Sequence, residues 1–339
     1  MEKAIALMLT LAVMLCGCGE AAGSYVNLAS VPNTGNQIIA DDAGNLYYLD
    51  MEEIYTVNGS EKTLFAEAAD ILPYMGDRHV DRAEIYVADW YEGKLYIWDS
   101  RDHGIWEYDP DAGTSVQLPV EFEINEEDFA GTAPMVYTLV VHNGWLYIRV
   151  TNNDLWRYNF ETKETFFYRL DTNEPFMDYF HFGAADETTL YLYQNKTAWK
   201  LDIASGECTD LDVSFIRETE GEIFSQLFLD GYGDVYYTTV NARMGDIISL
   251  YRGTTDNSVP CERIDLPTEP VQFLFDCSGW LYYRDEQSIW RYDMKKERVE
   301  LFITPPSGSI HLFGSKIYIQ QDDDAPHEYA ILADLDALD

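Results

Sequence analysis

The chain has 339 residues, 47% apolar, 14% aromatic and 24% charged. Its 60 Asp and Glu against 22 Lys and Arg give a formal net charge of -38. That charge argues against nucleic acid, whose phosphates need a basic surface, and against docking on anionic lipid through protein charge. Solubility is the first reading of such a charge; attraction of a cationic peptide, a divalent cation or a basic protein is the second. The 25 Tyr, 16 Phe and 8 Trp favour strands, where flat side chains pack on a pleated surface. The length suits one long all-β domain.

The chain begins MEKAIALMLTLAVMLCGC. Lys3 and the free amine make a weakly basic start, diluted by Glu2. The uncharged run from Ala4 to Leu15 is too short to span a bilayer as a mature helix. It has the length of a signal-peptide core. An ordinary secretory signal or an N-terminal membrane helix would also read this way. The run ends in Leu15-Cys16-Gly17-Cys18, which resembles the bacterial lipobox. The resemblance implies that residues 1–17 are a lipoprotein signal peptide and that the Cys18 thiol carries a diacylglyceryl group. Residues 18–24 are then a lipidated tether, and the domain from 25 to 339 lies outside the cytoplasmic membrane. Of the remaining cysteines, Cys208, Cys261 and Cys277 are odd in number and lack CxxC spacing, so neither a disulfide framework nor a zinc site is expected. Three half-buried thiols are.

From the first repeat on, one pattern recurs. Its first half is Leu46-Tyr47-Tyr48, Leu95-Tyr96-Ile97, Leu146-Tyr147-Ile148, Leu190-Tyr191-Leu192, Val235-Tyr236-Tyr237, Leu281-Tyr282-Tyr283 and Ile317-Tyr318-Ile319. The copies lie about 45 residues apart with a shorter last step, a period of propeller blades or arrays. The second half is Ile105-Trp106-Glu107-Tyr108-Asp109, with close copies at Leu155 to Asn159 and Ile289 to Asp293. Ala198 to Asp202 and Ile54 to Asn58 are weaker copies. Trp and Tyr two apart share one face of a strand. Hairpin signals such as Asn143-Gly144 and Ala204-Ser205-Gly206-Glu207 separate the strands, and helical periodicity is absent over several turns.

Each repeat therefore predicts four short strands. The first, such as Glu84 to Asp89 or Val271 to Phe275, lines a central channel; the Leu-Tyr strand is second and the Trp-x-Tyr strand third. An edge strand such as Val116 to Val120 is fourth. The seventh repeat has room for three, and Tyr25 to Ser30 is expected to supply the fourth and close the ring. The fold expected is all-β: a β-propeller of seven four-stranded blades closed by an N-terminal strand. The repeats resemble YWTD-like and TolB-like propellers found in surface lipoproteins of Gram-positive bacteria, over nearly all of residues 25–339. The fold alone leaves function open, because propellers host binders, scaffolds, lyases and hydrolases.

Turns between strands one and two, and three and four, are mostly short. The connections between blades, and several loops between strands two and three, are long. In a propeller these long classes share one face, where binding usually resides. That face carries the candidate ligand-binding residues Asp99, Asp102, Glu126, Glu127, Asp128, Asp154 and Asp285, with Tyr74, Phe129, Phe176 and Tyr179 among them. Carboxylates beside aromatic planes suit sugars, cationic peptides or cations, though most such residues merely solvate loops. His181 and His311 fall on predicted channel strands, where a packing role outweighs a catalytic one. No catalytic set, metal site or cofactor is expected. The function expected is a lipid-anchored, monomeric, extracytoplasmic binding or scaffold protein presenting an acidic face to a protein, peptide or glycan. The alternative is an exported propeller enzyme (lyase, lactonase or glycoside-acting) with a site at the channel mouth.

Overall fold

The computed structural model describes residues 38–334 apart from 42–43, 51–52, 59–60, 73–84, 100–103, 121–135, 151–153, 171–180, 186–187, 195–196, 212–221, 230–233, 242–246, 255–260, 278, 306–307, 314–315 and 321–328. These residues form seven antiparallel sheets, one per repeat, each with its strands in chain order. The first holds β1 (Ile38–Ala40), β2 (Leu46–Asp50), β3 (Glu53–Asn58) and β4 (Glu61–Glu67). The second holds β5 (Ile85–Tyr91), β6 (Lys94–Asp99), β7 (Gly104–Asp109) and β8 (Thr114–Gln117). The third holds β9 (Val136–His142), β10 (Trp145–Val150), β11 (Asp154–Asn159) and β12 (Thr165–Arg169). The fourth holds β13 (His181–Ala185), β14 (Thr189–Gln194), β15 (Thr197–Asp202) and β16 (Cys208–Leu211). The fifth holds β17 (Glu222–Leu229), β18 (Asp234–Asn241), β19 (Ile247–Thr254) and β20 (Glu262–Ile264). The sixth holds β21 (Gln272–Cys277), β22 (Trp280–Arg284), β23 (Ile289–Asp293) and β24 (Arg298–Ile303). The seventh holds β25 (Ser309–Phe313), β26 (Lys316–Gln320) and β27 (Tyr329–Asp334).

The repeat's spelling follows from packing between sheets. In β7, Trp106 and Tyr108 pack back against the first sheet, with Tyr47 and Leu49. In β6, Tyr96 and Trp98 pack forward against the third sheet, with Trp156 and Tyr158. Alternate residues of every strand thus serve the seam before and the seam after. Each sheet is covered on both faces, so the strands are apolar on both sides. The first and last sheets also meet: Leu46, Val57 and Tyr318 form one buried cluster. The Tyr318 hydroxyl donates to the Gly44 carbonyl at 2.9 Å. First strands of neighbouring sheets touch around the interior, as β5 does β9 and β13 does β17. This is a β-propeller. Residues 25–30, expected to complete the last sheet, lie outside the described residues.

The short turns are built by backbone chemistry. Glu92-Gly93 and Asn143-Gly144 have positive φ at both residues, the geometry that matches strand twist in two-residue hairpins. After the third strand, Asp109, Asn159, Asp202 and Asp293 each accept a backbone N–H three residues on, from Ala112, Thr162, Ser205 and Lys296. The chain then turns through a left-handed residue at Gly113, Lys163, Gly206 and Glu297. The Asp after Trp-x-Tyr is therefore a turn former.

Two details differ from expectation. The fourth strand of the second sheet is Thr114–Gln117, and the next apolar residues, Leu118 and Val120, instead bury themselves in the seam beyond. A one-turn helix, α1 (Ala68–Ile71), follows β4, with a capping box between Glu67 and Asp70. It buries Ala68 and Ile71 against the first seam. One turn shows no periodicity, so only its tertiary contact reveals it.

The turn carboxylates make an acid-sensitive contribution. Ser205, through its N–H and hydroxyl, holds Asp202 below the usual carboxylate value. Burial pushes Asp293 up, but the Lys296 N–H and ammonium outweigh it and the net shift is down. Asp285 is likewise raised by burial and more than offset by the N–H groups of Gln287, Trp290 and Ser288. A folded-state pKa below the unfolded value adds stability above the unfolded value and loses it as pH falls through the folded one. Stability in urea should therefore fall from about pH 4 downward. Asp293→Asn should flatten that decline by lowering neutral-pH stability toward the acid value, because Asn still accepts the turn N–H groups but loses the charge interactions with Lys296 and Arg298. An equally steep acid decline in the variant would count against this account.

Candidate functional site

In each four-stranded sheet the first strand starts, the second ends, the third starts and the fourth ends at one common end. Among the described residues nearly all the buried polar side chains gather in that half of the strands: Asp99, Thr138, Arg149, Asp154, Gln194, Thr238, Thr239 and Ser249. Arg157 and Asp293 are the exceptions.

Strand register shows which seam each one faces. Arg149 stands opposite Thr138 and Leu155, and Leu155 belongs to the seam between the third and fourth sheets. Gln194, two residues beyond Leu192 of that same cluster, faces the same seam from the other side. Thr239 and Ser249 are opposite one another and face the seam between the fourth and fifth sheets, beside Tyr237. Thr238 faces the seam between the fifth and sixth, beside Tyr236. The hydroxyls of Thr138, Thr238 and Ser249 meet no protein partner. A buried hydroxyl left so costs about 1–3 kcal/mol, a cost that a bound water or a ligand's polar atom removes. The seams at this end form a polar belt; at mid-strand they are apolar and aromatic.

The sequence-predicted carboxylates take different places. Asp99, at the end of β6, is 1% exposed, and Asp154, at the start of β11, is 3% exposed. Both lie in the belt under the face. Asp285 is half-buried and committed to its own hairpin. It accepts from the N–H groups of Gln287 and Ser288 and from the Trp290 indole at 2.7–2.8 Å. Asp102, Glu126, Glu127 and Asp128 lie outside the described residues, as do Tyr74, Phe129, Phe176 and Tyr179. Sequence reasoning missed Arg149, Gln194 and the hydroxyls of the belt. Every copy of the Leu-Tyr strand carries a polar residue one or two places after its apolar-Tyr-apolar triplet, as Asp50, Asp99, Arg149, Gln194, Thr238, Arg284 and Gln320 show, so position in the repeat did not single these out.

The first sheet carries a different cluster at this end. Tyr48 and Tyr55 stand directly opposite one another. The Lys62 ammonium sits 3.8 Å from the centre of the Tyr55 ring and 4.3 Å from that of Tyr48. It lies 3.6 Å from the Asp50 carboxylate, and the Tyr55 hydroxyl donates to Glu53.

His181 and His311 lie on β13 and β25, first strands of their sheets. Among the described residues no group of three His, Cys, Asp or Glu side chains could hold a metal ion. Cys208 and Cys261 are half-buried thiols outside any disulfide, and the Cys261 thiol donates to the Tyr237 hydroxyl. Burial and the nearby Asp210 push Cys208 up to about 11, leaving it protonated and unreactive at neutral pH. No helix among the described residues is long and apolar enough to cross a membrane.

Comparison with known proteins supports the class defined by these sheets and seams. No family model matches the sequence, and no curated protein sequence does. Solved structures do match. The extracellular domain of a putative one-component system from B. thetaiotaomicron aligns over 91% of this chain and 39% of its own, at 12% identity and a TM-score of 0.52. A chain of the mitotic checkpoint complex aligns over 90% of this chain and 89% of its own, at 10% identity and a TM-score of 0.52. The tricorn protease aligns over 91% and 35%, at 10% identity and a TM-score of 0.53. The chain thus spans about two fifths of the first of these. At such identities the likeness is one of fold, and the fold is the β-propeller.

Proposed function

We propose that this protein is a membrane-anchored, extracytoplasmic binding or scaffold lipoprotein whose propeller presents its long-loop face to a protein, peptide or glycan. The observation that carries the reading is the contrast between the two ends. The short-turn end spends its carboxylates on its own backbone, as Asp109, Asp202 and Asp293 do. The other end combines long connections with a polar belt in the seams below. Rigid strands holding adaptable loops are a common binding arrangement. The match to the extracellular domain of a putative one-component system is compatible with placement outside the cytoplasm, and the lipobox-like Cys18 provides the anchor.

Two charge-neutralised variants test the face. One changes Glu126, Glu127 and Asp128 to amides; the other changes Asp109 and Asp111 to Asn, which keeps the turn acceptor at 109. A partner captured from envelope extract should bind the loop variant more weakly and the turn variant as well as the parent. Binding should also weaken with salt, since exposed charges are screened beyond about 8–10 Å. Loss of binding in the turn variant alone would reverse the assignment. The anchor is tested separately: Cys18→Ser should abolish incorporation of labelled fatty acid, because only a thiol at that position can be alkylated. Equal labelling of parent and variant would refute the lipobox reading.

A further inference from the structure

We propose that the first sheet holds a recognition site for an alkylammonium group, formed by Tyr48, Tyr55, Asp50 and Glu53 and filled in the resting protein by the chain's own Lys62. This deepens the reading of the long-loop face as the binding face, by naming a ligand chemistry for one part of it.

The geometry is that of a cation site. Tyr48 and Tyr55 are a direct cross-strand pair on β2 and β3, so their rings lie on one face of the sheet. Lys62 on β4 is opposite Val57, two residues along from Tyr55, and reaches the same face diagonally. Its ammonium stands within 4.3 Å of both ring centres, well inside the range in which the ring quadrupole attracts a cation. Asp50 supplies a countercharge at 3.6 Å. Glu53 takes the Tyr55 hydroxyl, which fixes that ring and adds a second carboxylate.

The sheet's position explains why the site stays accessible. Tyr48 faces the seam between the last and first sheets, which among the described residues buries Leu46, Val57 and Tyr318. Both tyrosines remain half-exposed. Lys62 keeps 24% of its side-chain surface and Asp50 half of its own.

Exchangeability follows from a contrast within the same molecule. Arg157 also stands over aromatic rings, 4.0 Å from Trp145 and 4.8 Å from Phe166. It is 1% exposed and bonds the Ile203 carbonyl at 2.8 Å, which locks it in place. Lys62 has an ion pair longer than a hydrogen bond and a flexible stem at the surface. An incoming ammonium therefore competes with Lys62 for the two rings, and apparent affinity is reduced by the fraction of time the site is self-filled. The ligand class is a primary or quaternary alkylammonium, as on a lysine-rich peptide or a choline-like head group.

The test uses the soluble mature chain, with tetramethylammonium as probe at constant ionic strength. Ring currents should place the Lys62 ε-methylene proton resonances upfield of free lysine, and the probe should return them toward the free value. Lys62→Ala should bind the probe about tenfold more tightly, and Tyr55→Leu should lose it. Tyr55 is half-exposed, so that variant keeps the fold, which its thermal melt checks. Equal probe affinity in the parent, Lys62→Ala and Tyr55→Leu, or unshifted Lys62 resonances, would overturn the proposal. A captured partner that ignores the long-loop variants, while the probe still binds as described, would refute the reading of the face and leave the ammonium site standing.

Discussion

Tyr318→Ala should destabilise the protein by about 3 kcal/mol or more, whereas Tyr318→Phe should cost about 1 kcal/mol. Tyr318 is 4% exposed, and among the described residues its ring is the large buried contribution of the last sheet to the seam with the first. Its hydroxyl adds a bond to the Gly44 carbonyl across nearly the whole length of the chain. Removing the ring leaves a cavity where the two ends of the propeller meet. Few neighbouring side chains can relax into it, because Leu46 and Val57 sit on paired strands. The Phe variant keeps the packing and loses one partly buried hydrogen bond. Denaturant melts of both variants decide the matter. Equal small losses would mean that the first and last sheets are held together by something other than this contact.

Arg157→Ala should cost about 3 kcal/mol, and Arg157→Met roughly half of that. Arg157 is a cation at 1% exposure, stacked between Trp145, Phe166 and Tyr168 and bonded to the Ile203 carbonyl of the next sheet. The Ala variant leaves a cavity between the rings and an unpaired carbonyl. The Met variant fills the space and restores contact with the aromatic faces, but still leaves the carbonyl without its donor. Gly206 adds a second test of the same contact. Its φ is +75°, and a Cβ there would come within 2.6 Å of the Tyr168 hydroxyl and closer still to the Arg157 guanidinium. Gly206→Ala should thus be destabilising in the parent and less so in Arg157→Met. Additive losses in the double variant would show that the guanidinium does not press on this turn.

The repeat was legible because one physical demand is repeated seven times. A sheet covered on both faces needs large apolar side chains at alternate places, and Leu-Tyr-apolar with Trp-x-Tyr meets that demand in Leu95-Tyr96-Ile97 and Trp106-Glu107-Tyr108 alike. Turn residues were legible for the same local reason: Asn143-Gly144 takes positive φ whatever surrounds it. The strand order and the short-turn end follow from these local rules.

The candidate site was legible only in outline. Asp99, Asp154 and Asp285 read in sequence as three similar loop carboxylates. The structure buries the first two at the head of a seam and spends the third on its own hairpin. A carboxylate's exposure depends on the neighbouring sheet, and no residue within its own repeat encodes that neighbour. Lys62 likewise reads as an ordinary edge-strand lysine, a residue type that guards exposed edges. Its place over Tyr48 and Tyr55 needs three strands in register. Local pattern, which acts within a strand and its turns, determined the blades by itself. Whether a polar side chain is spent or available was decided by contacts between blades, because burial is a property of the packed neighbours on both sides.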